Sequence, residues 1–456
     1  MAIAGECMVV RPFSVYQEPA FLAVLDRLRA ADFCYAHLET NFGHFSEVSA
    51  PSRSDQVGTY LLTDPQVAVD LKAAGVDLVS LANNHSFDFG EKGLLATIDH
   101  CDEAGLAHAG TGRDLEEARE PSYLETPQGR VAMVSLSSGN KPHEWATPPK
   151  STLAGRPGVN SLRPVVRFTV DDETATVLRK MGRELGMLRE KGGGVTEGNS
   201  GPVSHGSEDG FSLTMPSDQG TTASNLFRVS DHFDVDSESD DRDVRGNLRS
   251  ITEAATMADL VLVAHHFNVA EKGRGNVPPR FVRDFAHAAI DAGADVYIGH
   301  GWHKTLGIEI YQGKPIFYGL GNFFAQSEFV RRVPFDTYEA WGHDIEALPT
   351  LTPAAHPLHP GGSATSPTWW SSAVIELDME DGQLKELRLH PVELGKEVGS
   401  ADVRRSVGST DRLLADGRPF AATGSDARAV LERYQRLSAD LGTTVEIEGD
   451  IGVVRL

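Results

Sequence analysis

The sequence predicts an α/β fold, in which short apolar strands alternate with helices along most of the chain. The chain has 456 residues, of which 40% are hydrophobic, so it is long enough to bury a large core. Polar residues able to do chemistry come directly after the predicted strands, where open α/β sheets place their sites. The alternation and the position of these residues both favour a sheet covered by helices.

The predicted elements follow one another in a regular order. Strands are predicted at residues 3–10, 33–38, 77–81, 106–109 and 131–136, with helices around 18–31, 65–74 and 91–104. The pattern resumes with strands at 259–264 and 294–298 on either side of a helix at 277–292. Near the end, residues 373–377 and 384–390 indicate a hairpin turning through Asp381-Gly382, followed by a helix at 426–441 and two short strands.

Two segments between these halves differ in composition. Residues 192–224 are rich in Gly, Ser and Thr, and residues 231–243 form an acidic run. Both favour mobile, solvated insertions, although a loop that covers a substrate would have the same composition. We therefore predict a mobile insertion at about residues 190–245.

Composition limits the partners and the compartment. Asp plus Glu number 65 and Lys plus Arg number 42, and the net charge of −23 argues against a nucleic-acid partner. The three cysteines contain no CxxC pair, so a disulfide framework is not expected. No apolar run reaches membrane-spanning length and a strand is predicted from residue 3, so we expect a cytoplasmic protein without a transmembrane segment, unless an export signal lies upstream of the given start.

Five segments place metal-ligand side chains at predicted strand ends. In chain order they supply Glu6, Glu39, Asn84-His85, His265-His266, and His300 with His303. Carboxylate and amide oxygens suit hard cations, whereas imidazole suits Zn, Mn or Fe. One buried polar residue alone is usually a hydrogen-bonded structural group. Because the pattern recurs five times, we predict a site for one or two divalent ions, with Mn, Zn, Fe and Ca left open.

Four further residues are candidates to bind substrate. Arg11 and Arg156 could clamp an anionic group through a guanidinium fork, although a structural role is favoured for Arg156. Asn83 adjoins the predicted ligand Asn84. Trp302 lies between the two loop histidines and could form an apolar wall or serve packing alone.

At these segments the chain resembles CapA-type proteins of poly-γ-glutamate capsule synthesis, relatives of calcineurin-like metallophosphoesterases. The similar stretches are residues 81–90 (LANNHSFDFG), 110–113, 291–299 (DAGADVYIG) and 313–323 (GKPIFYGLGNF), within a match covering about residues 1–330. The resemblance implies a four-layer α-β-β-α sandwich at residues 1–365. It also makes residues 366–456 a small α+β extension that completes the sandwich.

The resemblance also implies roles for individual residues. Glu6 would bind a first metal that His303 completes, and Glu39 would bridge to a second metal. The second metal would be held by Asn84, His300 and either His265 or His266. His85 would inherit an acid/base role, and Asp88 would either orient His85 or cap the following helix. The family usually has Asp where this chain has Glu6, and no His follows two residues later, so the first metal could be weakly held, with Glu6 free as a base.

Three functions follow from this resemblance. The first is epimerisation-type acid/base chemistry on a peptide or poly-γ-glutamate-type substrate, in which Glu6 removes an α-proton and His300 returns one. The alternative is hydrolysis of a phosphoester, with His85 assisting the leaving oxygen. The third is a non-catalytic scaffold in capsule polymer synthesis. Since fold does not fix function, only the site can decide between them.

Overall fold

The computed structural model describes residues 1–50, 60–189, 210–216, 222–269, 275–327, 366–380, 382–394 and 417–456, with isolated positions between 330 and 338. The described chain is a mixed α/β protein, as the sequence predicts. Its residues form two compact units. The first comprises 1–162, 242–268 and 286–456, and the second comprises 163–241 and 269–285.

The described elements have the following bounds. The strands are β1 (Ala2–Met8), β2 (Cys34–Leu38), β3 (Asn41–Phe42), β4 (Leu62–Thr63), β5 (Leu78–Ser80), β6 (Ala107–Ala109), β7 (Thr111–Gly112), β8 (Ser122–Thr126), β9 (Gly129–Ser137), β10 (Gly158–Val159), β11 (Pro164–Val170), β12 (Leu188–Arg189), β13 (Gly210–Pro216), β14 (Thr222–Val229), β15 (Asp234–Ser239), β16 (Leu260–His266), β17 (Val296–His300), β18 (Ile308–Tyr311), β19 (Lys314–Phe317), β20 (Asn322–Ala325), β21 (Ser371–Glu380), β22 (Gln383–Glu393), β23 (Phe420–Ala421), β24 (Glu446–Glu448) and β25 (Ile451–Arg455). The helices are α1 (Pro19–Ala30), α2 (Gln66–Ala73), α3 (Gly90–Ala104), α4 (Leu115–Arg119), α5 (Asp172–Glu184), α6 (Asp241–Met257), α7 (Arg280–Asp291) and α8 (Gly424–Ala439), with a 3-10 turn at Pro367–Trp370.

The larger sheet of the first unit is built around β1. Within the described chain its order is β24-β25-β22-β21-β1-β2-β5-β6, with β20 also paired to β1 and β23 to β22. The steps from β1 to β2, β5 and β6 are parallel. On its other edge β1 pairs antiparallel with β21 near its start and parallel with β20 near its end. Every residue of β1 is buried, as expected for the centre of such a sheet.

A second sheet of the first unit has the order β18-β19-β17-β16-β9-β8. Its central strands β9, β16, β17 and β19 run parallel to one another. Apolar side chains from both sheets share one core, which includes Ile3, Tyr35, Leu262 and Ile298. The opposite face of the larger sheet packs on residues of α1, α2 and α3, among them Phe21. The parallel strands of both sheets therefore end close to a common core.

The second unit corrects the interpretation of residues 190–245 as solvated insertions. It holds a five-stranded sheet of described residues in the order β12-β13-β14-β11-β15, with Phe211 and Leu213 in its core. The acidic run contains β15, which pairs with β11 over its full length, so backbone hydrogen bonds stabilise a strand of polar side chains. Residues 190–209 and 217–221 of the predicted insertion lie outside the described residues.

Two further observations concern the cysteines and the helices. Cys7, Cys34 and Cys101 are buried free thiols. Among the helices that the structure describes, none combines the length and the apolar character needed to cross a membrane.

Candidate metal centre

Glu6, Glu39 and His303 converge at the end of the larger sheet. One ligand atom from each lies within 4.8 Å of the others. The His303 Nδ1 atom is 2.9 Å from Glu6 Oε2 and 3.7 Å from Glu39 Oε2. Both carboxylates are fully buried, whereas the His303 side chain is 19% exposed. Residues nearly three hundred positions apart thus meet in one buried cluster, as their strand-end positions predict.

Backbone packing fixes the orientation of Glu6. The preceding Gly5 leaves no room for a side chain, because an added Cβ would lie 2.1 Å from the carbonyl oxygen of Gly321. Glu6 Oε1 accepts hydrogen bonds from the backbone N–H groups of Gly301 and His303, at 3.1 and 3.3 Å. The second oxygen, Oε2, is left to face the cluster.

The loop after β17 places His303 by an unusual backbone path. Gly301 has φ +110°, and an added Cβ would lie 2.3 Å from the carbonyl oxygen of Phe267, so only glycine fits. His303 itself has φ +53°, a strained conformation for a residue with a side chain and one that concentrates at functional sites. Its Nδ1 is also 2.9 Å from Asn322 Oδ1.

His266 and His300 end the adjacent parallel strands β16 and β17 and are paired in register. His266 Nε2 lies 4.0 Å from Glu39 Oε1. The ring of His37 stacks between them, with centroids 5.1 Å from His266 and 4.2 Å from His300. His266 therefore adjoins the carboxylate cluster, and His300 ends the next strand beside it.

The donor atoms of this cluster fit a cation. Among the described residues, no hydrogen-bond partner is found for either oxygen of Glu39, His266 Nε2 or His300 Nδ1, although all are buried, whereas Glu6 Oε2 faces His303 Nδ1 at 2.9 Å. Leaving a buried polar atom unpaired costs about 1–3 kcal/mol, and more for a charged group. Oxygen and imidazole nitrogen donors are the mixed set that borderline divalent metals accept. Divalent ions bound here would give these atoms partners.

Protonation in the cluster reflects its crowded negative charge. Burial raises the pKa of Glu39 to about 8, with His303 opposing and Glu6 adding to the rise. Burial opposes charge on His303, but Glu39 and Glu6 raise its pKa to about 10. Burial likewise opposes charge on Glu6, yet His303 holds the pKa of Glu6 well below its usual range. Protons on Glu39 and His303 thus offset charge that a cation would otherwise balance.

The two strand-end imidazoles are neutral. Burial lowers the pKa of His300 to about 3. Burial, and then the neighbouring His37, hold the pKa of His266 well below its usual range. A neutral imidazole keeps a lone pair, which metal coordination requires.

His85 and Asp88 form a pair beside the cluster, in the turn after β5. His85 Nδ1 is 2.7 Å from Asp88 Oδ2, and the His85 side chain is 12% exposed. Asp88 Oδ2 also accepts from the Leu61 backbone N–H, at 2.9 Å. The helix cap is Phe89, without a side-chain cap, so Asp88 holds His85 instead of capping α3. The predicted ligand Asn84 lies in the same turn.

Some predicted site residues do not face the cluster. His265 bonds Ser138 Oγ through Nε2 at 2.7 Å and Tyr297 through Nδ1, because neighbouring strand residues point to opposite faces. The Arg156 guanidinium donates to the carbonyl oxygens of Pro142 and Trp145, which is the structural role rather than an anion clamp.

The other three substrate-binding candidates lie in different structural environments. Asn83 is buried; its Nδ2 donates to Leu38 O at 2.7 Å, and its Oδ1 accepts from the His85 N–H, so it shapes the turn. Trp302 is half-buried with its ring edge-to-face on Phe267, 5.9 Å away. Arg11 is half-buried, three residues beyond β1.

Two residues of this region escaped sequence reasoning. Asn322 contacts His303 and pairs in register with Glu6 on β20. It lies in residues 313–323, one of the stretches that resemble the family. That resemblance was the signal that could have identified it. His37 lies within β2, two residues before Glu39, and a histidine inside an apolar strand resembles an ordinary core residue.

The arrangement of two sheets with donors at their strand ends is consistent with a metallophosphoesterase-like α/β protein. Residues 1–327 match the family described as bacterial capsule synthesis protein PGA_cap. The chain belongs to this family, which confirms the resemblance to CapA-type proteins.

Relatives extend this finding. The chain is 32% identical over 465 residues to the uncharacterized protein y4sH of Sinorhizobium fredii, covering 100% of this chain and 93% of that protein. It is 27% identical over 305 residues to a probable polyglutamine synthesis accessory protein of Mycobacterium tuberculosis, covering 66% of this chain and 57% of that protein. It is 41% identical over 81 residues to the PGA biosynthesis protein CapA of Bacillus subtilis, covering 18% and 20% of the two chains.

Proposed function

We propose that this chain is a metal-dependent enzyme of capsule-polymer metabolism whose centre holds divalent ions. One observation carries the proposal: Glu6, Glu39 and His303 converge, and buried donor atoms of Glu39, His266 and His300 have no hydrogen-bond partner among the described residues. Glu6, Glu39 and His303 would hold one ion. Glu39, Asn84, His266 and His300 would hold a second. When bound, such ions would polarise a carbonyl or phosphoryl oxygen of the substrate.

Proton transfer is assigned to His85. Glu6 is fully buried and fixed by two backbone N–H groups, and His300 is 1% exposed, so both suit coordination better than contact with substrate. His85 reaches solvent and has Asp88 to hold its ring. Of the residues first considered for acid/base work, His85 alone therefore has both access and support.

The proposed substrate is a peptide or glutamyl polymer, and the proposed reaction is an epimerisation-type proton transfer at its α-carbon. The printed names of the Bacillus subtilis and Mycobacterium tuberculosis relatives refer to synthesis of PGA and of polyglutamine. Polarisation of an amide carbonyl acidifies the adjacent α-proton; His85 would accept that proton, and water would deliver one to the opposite face of the α-carbon.

Phosphoester hydrolysis is the second candidate, and the His85–Asp88 pair itself favours it. Hydrolysis needs one group that gives a proton to the leaving oxygen, whereas epimerisation needs a proton carrier on each face of the α-carbon. A single histidine held by a carboxylate meets the simpler requirement.

Two assays on metal-loaded protein separate these reactions. Deuterium incorporation at α-carbons of glutamyl peptides in heavy water would support epimerisation, and phosphate release from aryl phosphates would support hydrolysis. His85→Ala should lower the active reaction about 10²- to 10⁴-fold, the usual contribution of general acid/base catalysis. Absence of activity in both assays, together with equal metal content in wild type and Glu39→Gln, would refute the proposal that the chain is an enzyme and leave the scaffold role.

We also propose the four-layer sandwich and the extension at residues 366–456. The shared core of the two sheets supports two central layers, and the α1–α3 face supports one outer helical layer. Pairing of β21 with β1 supports an extension that completes the larger sheet.

A further inference from the structure

A hydrogen-bonded network lies beneath the proposed metal ligands. It consists of Tyr35, His37 and Ser80, which are fully buried and so cannot contact a substrate. The Tyr35 hydroxyl is 2.7 Å from His300 Nε2 and 2.6 Å from Ser80 Oγ. His37 Nδ1 is 2.6 Å from the same Ser80 Oγ, and His37 Nε2 is 3.0 Å from His266 Nδ1. Ser80 therefore joins the far sides of both imidazoles.

We propose that Ser80 is a positioning residue that, through Tyr35 and His37, fixes both histidines in the tautomers that bind metal. The proposal rests on the proposed metal centre and deepens it. A neutral imidazole carries one proton, so the nitrogen that coordinates must be the unprotonated one. The nitrogens left for coordination are His266 Nε2 and His300 Nδ1, which are buried and have no hydrogen-bond partner among the described residues. The protons must then sit on His266 Nδ1 and His300 Nε2, the atoms that face the network.

These two positions determine the direction of every bond in the network. His300 Nε2–H donates to the Tyr35 oxygen, and the Tyr35 hydroxyl then donates to Ser80 Oγ. His266 Nδ1–H donates to His37 Nε2, which leaves the His37 proton on Nδ1, where it donates to Ser80 Oγ. Both branches end on one oxygen, and a serine hydroxyl has two acceptor lone pairs. Both branches therefore find an acceptor with both imidazoles in the coordinating tautomer, while the Ser80 O–H itself has no acceptor among the described residues.

Removing Ser80 Oγ should therefore weaken both histidines together. Loss of an outer hydrogen-bond partner typically costs about 10- to 100-fold in metal affinity. We expect Ser80→Ala to lower Zn²⁺ affinity by about that factor, measured by isothermal titration calorimetry. Tyr35→Phe interrupts only the His300 branch and should cost less. Ser135→Ala, which removes another buried strand hydroxyl outside the network, should leave the affinity unchanged.

Nitrogen-15 NMR of histidine-labelled, Zn²⁺-loaded wild type provides a test that needs no variant. We expect the proton on Nδ1 of His266 and on Nε2 of His300; the opposite tautomer at either residue overturns the inference. Equal Zn²⁺ affinity of wild type, folded Ser80→Ala and Tyr35→Phe would also overturn it while leaving the metal centre intact. A wild type that binds no Zn²⁺, Mn²⁺ or Fe²⁺ would overturn the metal centre and this inference with it.

Discussion

Glu39 is buried at the centre of the cluster, and neither of its oxygens has a hydrogen-bond partner among the described residues. Because it adjoins both His303 and His266, it is placed to serve two ions. Glu39→Gln keeps the shape of the side chain but removes its charge. We expect the purified variant to lose most of its bound metal, measured by inductively coupled plasma mass spectrometry.

Glu120→Gln is the matched control for that experiment. This glutamate is exposed at the end of α4, away from the cluster, so its substitution should leave metal content unchanged. Retention of full metal content by Glu39→Gln would contradict the assignment of Glu39 as a ligand.

Asp88 offers a second test at the scale of single residues. Asp88→Asn keeps an acceptor oxygen for His85 Nδ1 but removes the carboxylate charge beside the ring. We expect a fall in kcat of about 10- to 10³-fold with little change in KM, because the loss falls on proton transfer. Steady-state kinetics in whichever reaction proves active would measure this. Equal kcat for the variant and wild type would remove Asp88 from the mechanism.

The proposed ligand residues could be predicted from the sequence better than the residues that surround them. Glu6, Glu39 and His300 stand at the ends of apolar runs, where the period of a strand and the sheet edge predict convergence. The environments of Ser80 and His37 depend on which strands lie beside them in the folded protein. Local sequence pattern does not determine that strand order. The face of His265 is decided by the register of β16, which the sequence left open.

At the scale of elements, a surface network links α1 to the hairpin of β21 and β22. Arg27 Nη1 is 2.8 Å from Glu376 Oε1, and His390 Nε2 is 3.0 Å from Glu376 Oε2. The hydrogen bond from His390 lowers the pKa of Glu376 to about 2, with burial opposing and Arg27 assisting. The network thus depends on an ionised carboxylate.

This lowered pKa makes stability depend on pH. A carboxyl group whose pKa is lower in the folded state stabilises it above the unfolded value of 4.5, and that stability is lost as pH falls toward the folded value of about 2. We expect Glu376→Gln to lower the free energy of unfolding at neutral pH and to flatten its fall between about pH 5 and pH 3. Urea denaturation at several pH values measures both effects.

Glu253→Gln, an exposed position on α6, serves as the comparison for that series. A Glu376→Gln curve parallel to that of wild type through this range would show that Glu376 is not the group responsible.

Many elements of the first unit were predictable because their strands are apolar and their helices amphipathic, although β8, β18, β19, β20 and α6 were not predicted. The sheet of the second unit was not, because β15 reads Asp-Val-Asp-Ser-Glu-Ser, a sequence of low strand propensity. Its pairing with β11 outweighs that propensity. Tertiary pairing therefore determined the structure of a segment whose composition favoured a loop.

For the whole molecule, a bound ion couples to folding. The centre draws residues from β1, the turn after β2, β16 and the loop after β17, so unfolding would destroy it. A ligand at 100 times its Kd adds about 2.7 kcal/mol to stability. We expect Mn²⁺ or Zn²⁺ to raise the melting temperature of chelator-treated protein in differential scanning calorimetry. The Glu39→Gln variant should show a much smaller rise, and an equal rise would point to binding elsewhere.

The position of β1 has a consequence for the order of biosynthesis. This strand is synthesised long before its neighbours β20 and β21, which are made from residues 322–325 and 371–380. Until those segments emerge, nascent Glu6 lacks the backbone of Gly321 and the loop that holds its carboxylate. Long-range pairing of this kind slows folding. Binding of a cation by Glu6 is therefore expected only after the segments that form β20 and β21 have been translated.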